Sequence, residues 1–395
     1  MTPAVVRIAM VAGEASGELL ASQLMQALRA RLPNAVFFGV GGPRMVGLGF
    51  DAWHPLEKLA VRGYVEVLRH YREILGIRRD LKRRLLADPP DVFIGVDAPD
   101  FNLGLEKVLK RHGIPTVHYV SPSIWAWRGE RIHKIGAAVS RVLALFPFEP
   151  VLYEKQGIPV SYVGHPLADM LPLEDGREGA RTLLGLSAQE PVFALLPGSR
   201  QSELQYMSEP FIEAARRIHD EIPAAVFLVP LATRETRALF EGALHRCSAQ
   251  QLPIRLLFGH AHQAMMAADL VLLASGTATL EAALLKRPMV IAYKVAPLSY
   301  RLWRRIGGYL PYVGLPNVLS GRFVVPEFLQ DDATPENLAQ AMLNLYADKT
   351  VCARLKEGFR LMHLQLRQNA AEKAAAAVLT CLPAALRDHA GPAAG

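Results

Sequence analysis

With 395 residues, 51% of them hydrophobic and 21% charged, the chain is too long for one ordinary core and too apolar for disorder, so two domains are expected. Cys247, Cys352 and Cys381 are few, odd in number and unpaired in motif, which argues against a disulfide framework or a zinc site. Forty-four Lys and Arg against 37 Asp and Glu leave a net charge of +7, which suits an anionic partner without choosing among nucleic acid, phosphate ligands and a membrane face.

The opening Met1–Ala12 lacks the basic region and cleavage pattern of a secretory signal, and no apolar run nears the roughly 20 residues that span a bilayer. A cytosolic chain is therefore expected, with Val6–Val11 as its first buried strand. That strand enters Gly13-Glu-Ala-Ser-Gly-Glu18, where Gly13 and Gly17 permit tight turns and Ser16 is the expected N-cap of a helix Gly17–Arg31. Glu14 and Ser16 are candidate substrate contacts, although first-turn acids are common for their own sake. Strand Val36–Val40 follows. Val61–Leu86 then carries apolar residues at 61, 64, 65, 68, 71 and 75, with seven basic residues between Arg69 and Arg84 against Glu73 and Asp80. Such a helix suits an anionic lipid surface, with Val65, Leu68, Arg69, Arg72 and Leu75 facing it. A helix packed on a sheet with a solvated basic face gives the same pattern.

Strand Val92–Val96 leads into Gly95-Val-Asp-Ala-Pro-Asp100. Asp97 leaves an apolar strand end before Pro99 turns the chain, which places a carboxylate to act as general base towards a hydroxyl. Asp100 fits the N-cap of the next helix, and the pair of acids alone is weak evidence for a metal. After strand Thr116–Val120, the run Tyr119-Val-Ser-Pro-Ser-Ile-Trp-Ala-Trp127 sets Ser121 and Trp125 near Arg128 and Arg131, a setting that suits a sugar or an acyl chain as well as core packing. Strands Val142–Leu145 and Ser161–Val163 close the first series, and His165 stands at the junction to the second.

The second series is Val192–Leu196, Ala225–Val229, Ile254–Phe258, Leu270–Leu273 and Met289–Tyr293, again alternating with helices. The βαβ pattern predicts two Rossmann-type parallel sheets facing across a cleft, with ligand loops at their carboxyl ends. The expected divisions are 1–168, 169–350, C-terminal helices at 351–382 that pack back or mediate dimer contacts, and a frayed tail at 383–395. Leu195-Leu-Pro-Gly-Ser-Arg200 offers Gly198 for close approach, Ser199 as donor and the fork of Arg200 for phosphate oxygens. Leu273-Ala-Ser-Gly-Thr-Ala-Thr-Leu-Glu281 presents Ser275, Gly276 and Thr277 at a helix N-terminus, with Glu281 one turn inside for ribose hydroxyls. Neither a P-loop nor a strict Gly-x-Gly-x-x-Gly is present. A final aromatic and basic cluster, including Trp303 and Arg304, repeats the surface theme, and no nucleic-acid module accompanies it.

Taken in order, these segments, with Phe146-Pro-Phe-Glu149 and Leu315-Pro-Asn317, resemble the lipid A disaccharide synthases, inverting glycosyltransferases of the GT-B type. They cover about four-fifths of the chain. The resemblance implies UDP-2,3-diacylglucosamine as donor and 2,3-diacylglucosamine 1-phosphate as acceptor, joined β(1→6) with release of UDP. It further implies Asp97 as the base, Arg200 and the Ser275–Thr277 turn on the diphosphate, Glu281 on the ribose and Asn317 near the donor. Anionic inner-leaflet lipid and a homodimer are the implied partners, with no cofactor, no metal and no nucleic acid. Two other readings share the diphosphate loops: a UDP-N-acetylglucosamine epimerase or other UDP-sugar enzyme of the same fold, and a non-catalytic nucleotide-sugar-binding protein at the membrane.

Overall fold

The computed structural model describes residues 5–59, 64–126, 129–295 and 311–387, with 64–71 in backbone only. Expectations placed on the side chains of Val65, Leu68 and Arg69, and on Trp127, Arg128, Trp303 and Arg304, lie outside the described residues. The chain divides into two compact units, Met1–Asp169 with Leu366–Gly395, and Met170–Gln365.

The first unit is built on seven parallel strands, β1 (Arg7–Ala12), β2 (Val36–Gly41), β3 (Phe50–Pro55), β4 (Val92–Val96), β5 (Thr116–Tyr119), β6 (Arg141–Ala144) and β7 (Val160–Tyr162). Their order is β3-β2-β1-β4-β5-β6-β7. Successive side chains leave a strand on opposite faces. Ile8, Met10 and Ala12 therefore pack with the helices Ala15–Arg31 and Ala370–Leu379, while Ala9 and Val11 pack with the helices Tyr64–Ala87 and Pro99–Arg111. Both faces are covered, which is why the strands read as continuous apolar runs. β3 was not legible as a strand, since its sequence is Phe-Asp-Ala-Trp-His-Pro and it lies at the sheet edge.

The second unit holds six parallel strands, β8 (Val192–Leu196), β9 (Val226–Leu231), β10 (Ile254–Phe258), β11 (Leu270–Ala274), β12 (Met289–Tyr293) and β13 (Glu327–Leu329), in the order β10-β9-β8-β11-β12-β13. β13 is a three-residue edge strand that the sequence did not announce.

The C-terminal helices do not form one segment. Lys349–Leu366 belongs to the second unit up to Gln365, with His363 buried against Lys286, whereas Ala370–Leu379 lies on the first sheet. Asp169 caps that last helix, accepting from the amides of Asn369 at 2.9 Å and Ala370 at 2.6 Å. Arg31 and Glu372 pair at 2.9 Å across it. In the basic helix Tyr64–Ala87 the residues Ile77, Leu81 and Leu85 are buried in the core, while Arg72, Arg79, Lys82 and Arg83 are exposed and Leu75 is half-buried. This half of the helix packs on the sheet with a solvated basic face.

Candidate active site

In each parallel sheet the winding direction reverses beside the first strand, between β1 and β4 in one unit and between β8 and β11 in the other. A crevice at the carboxyl ends of the strands is expected there. In the second unit that place holds a cavity of about 560 Å³, lined by the loops that leave β8, β9, β10, β11 and β12.

Gly198, Ser199 and Arg200 line it, and the turn they make is closed from within. Glu203 Oε2 accepts from the amides of Ser199 at 2.9 Å and Arg200 at 3.1 Å. Gly198 has φ 131°, and a Cβ there would stand 2.5 Å from Glu203 Cβ. The amides of this loop are thus spent internally, and its remaining anion donors are the Ser199 hydroxyl and the Arg200 guanidinium. Arg200 is mostly exposed, 3.4 Å from Glu203.

The turn after β11 is open instead. Gly276, with φ 155°, precedes the helix Thr277–Leu284, and nothing lies within 4 Å of where its Cβ would be. The first amides of a helix have no carbonyl one turn back, so those of Thr277 and Ala278, both residues of the cavity lining, are left as donors for an anion. Ser275 also lines the cavity, its amide held by Ala292 O at 3.1 Å. Glu281 completes this wall, and its carboxylate pairs with His262 Nε2 at 2.9 Å. That hydrogen bond raises the His262 pKa above its ordinary value. Asn317, expected near the donor, is buried outside the cavity lining. Its amide donates to Val325 O and Glu327 Oε1, and its carbonyl accepts from the amides of Val324 and Val325. Glu203 and Tyr293, which line the cavity, and His262, which pairs with Glu281, were missed from the sequence.

A larger cavity, about 720 Å³, lies at the opposite, amino-terminal end of the strands, where Asp269 precedes β11. Asp269 pairs there with Arg177 at 2.6 Å and Arg181 at 3.0 Å, and Asp175 with Arg287. Arg181, nearly wholly buried, also donates to the carbonyls of Ser187, Ala188, Glu190 and Ala267. This is a brace for the amino-terminal ends of β8 and β11.

In the first unit the reversal point carries Asp97. Asp97 and Ala98 both adopt left-handed backbone, φ 53° and 44°, before Pro99 opens the helix. Non-glycine residues held there cost on the order of 1–3 kcal/mol each, and such strain concentrates at working sites. The neighbouring turn fits closely: a Cβ on Gly13 would stand 2.6 Å from Ala98 Cβ, and one on Gly17 would lie 3.8 Å from Asp97 Cβ. Glu14 is the N-cap of the helix Ala15–Arg31, and Ser16 lies exposed in its first turn, so the expected cap is shifted by two residues. Asp100 is not a cap; Ala98 holds that position, and Asp100 pairs with Arg131 at the surface.

The loops after β5, β6 and β7 gather Ser121, Trp125 and His165 around Glu149. Glu149, about 1% exposed, accepts from the amides of Leu145 and Phe146 and from Trp125 Nε1 at 3.3 Å. Burial pushes its carboxyl up to about 7 against those hydrogen bonds. Trp125 meets Phe146 and Phe148 edge to face, and Phe146 stacks on His165 at 5.7 Å. Burial lowers the His165 pKa to about 4. Its amide donates to Leu366 O, and a Cβ on Gly164 would stand 2.4 Å from Gln368 Cβ. Ser121 is buried, with its hydroxyl on Tyr153 at 2.8 Å.

The profile of the lipid-A-disaccharide synthetase family matches residues 8–380. A lipid-A-disaccharide synthase of Dechloromonas aromatica (strain RCB) is 64% identical over 378 residues, which cover 95% of this chain and 99% of that protein. Among solved structures, the glycotransferase of kitacinnamycin superposes with a TM-score of 0.62 at 16% identity, covering 97% of this chain and 100% of that one. UDP-GlcNAc 2-epimerase from Neisseria meningitidis does so with a TM-score of 0.63 at 12% identity, covering 95% and 100%. At such identities the two structures speak to the fold alone.

Proposed function

The chain belongs to the lipid-A-disaccharide synthetase family, and from that premise we propose the substrates and the residues with which it works. It is a glycosyltransferase of the GT-B fold that makes the lipid A disaccharide. The donor is UDP-2,3-diacylglucosamine and the acceptor 2,3-diacylglucosamine 1-phosphate. The observation that carries this reading is the cavity at the β8 and β11 turns, where a guanidinium, a hydroxyl and open helix amides converge above Glu281. A diphosphate needs those donors, and a ribose needs that carboxylate.

The acceptor hydroxyl attacks the anomeric carbon while its proton passes to the Asp97 carboxylate. The bond from that carbon to the diphosphate oxygen breaks, and UDP leaves with the electron pair. Arg200, Ser199 and the amides after Gly276 stabilise the charge that develops on the leaving phosphate. No helix among the described residues is long and apolar enough to cross a membrane. The lipid substrates and the exposed Arg72, Arg79, Lys82 and Arg83 support peripheral work on an anionic inner leaflet from the cytoplasm, and the homodimer is proposed on the family resemblance alone.

Purified protein incubated with both acylated substrates should release UDP and form one disaccharide 1-phosphate, read by mass spectrometry. UDP-N-acetylglucosamine alone should not be epimerised. Epimerisation, or UDP binding without any transfer, would turn the reading to one of its two rivals.

A further inference from the structure

Beneath the Asp97 turn lies a buried polar group that the proposed chemistry does not use. Asn102, Glu106 and His118 are each wholly buried. Asn102 and Glu106 stand one turn apart on the helix Pro99–Arg111, and His118 lies on β5 opposite Gly95 of β4. Asn102 Nδ2 donates to the Asp97 carbonyl at 2.8 Å, and Glu106 Oε1 meets His118 Nδ1 at 2.8 Å. Gly95 makes room for both. A Cβ there would stand 2.1 Å from Glu106 Oε1 and 3.0 Å from Asn102 Cβ.

Burying three polar side chains in an apolar core is costly, and here the satisfaction is incomplete. Asn102 Oδ1, Glu106 Oε2 and His118 Nε2 have no hydrogen-bond partner. Apolar residues of similar volume would stabilise the core more. What the set supplies is direction: a side-chain amide that holds the carbonyl of a residue in strained left-handed backbone.

We propose that Asn102 is a positioning residue for Asp97, braced from below by the Glu106–His118 pair, and that its amide fixes the left-handed turn from which the Asp97 carboxylate leaves the strand. The inference rests on Asp97 being the base. A displaced general base loses rate without loss of donor binding, since the diphosphate cavity belongs to the other unit.

The test is kinetic, on the full chain. Asn102→Ala should lower kcat by about 10- to 100-fold, with the donor KM and the UDP affinity within about twofold of wild type. Asn102→Asp keeps the volume but can donate only when protonated. Its kcat relative to wild type should rise as the pH is lowered, a trend that a packing defect does not produce. Wild-type kcat in Asn102→Ala overturns the proposal, as does a loss of kcat matched by an equal loss of UDP affinity. If Asn102→Ala does not fold, Asn102→Asp carries the test, and a pH-independent ratio overturns it. An active Asp97→Ala removes the base reading and this inference with it; an inactive Asp97→Ala beside a normal Asn102→Ala removes only the inference.

Discussion

The two reversal points occupy the same place in their sheets, yet they are made of different material. After β11 the chain uses glycine and open helix amides around a cavity, and after β8 it uses a glycine turn whose amides are tied off by Glu203. After β4 it uses Asp97 and Ala98 in left-handed backbone, clamped by Gly13 above and Asn102 below. A backbone cradle holds charge that a ligand brings. A side chain aimed from a strained turn supplies a reactive group. On the proposed function, one topology serves binding in one unit and proton transfer in the other.

The sharpest way to break that contrast is Asp97→Ala, which should reduce turnover by about 1,000-fold or more while UDP affinity, read by calorimetry, stays unchanged. Loss of both together would put Asp97 in the binding apparatus instead.

Next in size is a stability effect confined to the first unit. Burial raises the Glu149 pKa from 4.5 to about 7, so its stabilising contribution is full below 4.5 and is lost as the pH rises through about 7. Burial lowers the His165 pKa from 6.5 to about 4, so that contribution is present above 6.5 and is lost as the pH falls through about 4. The two slopes oppose one another. Glu149→Gln should leave only the second, and between about pH 5 and about pH 8 it should gain on the order of 3 kcal/mol relative to wild type. Parallel melting curves for the two proteins across that range would contradict the buried carboxyl.

In the second unit Arg200→Ala should weaken donor binding by about 10- to 100-fold, because the guanidinium is the charged donor left in a loop whose amides are taken. An unchanged donor affinity would refute its role. The smallest effect concerns His262, whose pKa is raised by its hydrogen bond to Glu281. The benefit of the charged form is full below the ordinary 6.5 and is lost as the pH rises through the raised value. Donor affinity should fall by a few-fold over that rise, and His262→Gln should flatten the profile.

Much of this was legible in the chain itself. Eleven of the strands show as apolar, β-branched runs, the central ones because both faces of a parallel sheet are covered; β3, which reads Phe-Asp-Ala-Trp-His-Pro, and the three-residue β13 do not. The glycine turns at Gly198 and Gly276 announce themselves by residue type. Glu203 and His262 do not, since a carboxylate that ties off a loop and an imidazole that holds another carboxylate are defined by neighbours the sequence does not list side by side. Asn317 shows the same limit: the groups its side chain bonds come later in the chain, at Val324, Val325 and Glu327. Asn102 stands just past the Gly95–Asp100 run, and only the fold shows that its amide meets the Asp97 carbonyl.

The helix Ala370–Leu379, capped by Asp169 and packed beside Ala15–Arg31, has a consequence for how the molecule is made. During synthesis the amino-terminal sheet emerges first but must wait, with one wall missing, until about two hundred further residues have left the ribosome. Shortening the chain before Ala370 would therefore injure the half that was translated earliest, and fragments ending near Asp169 should be prone to aggregate.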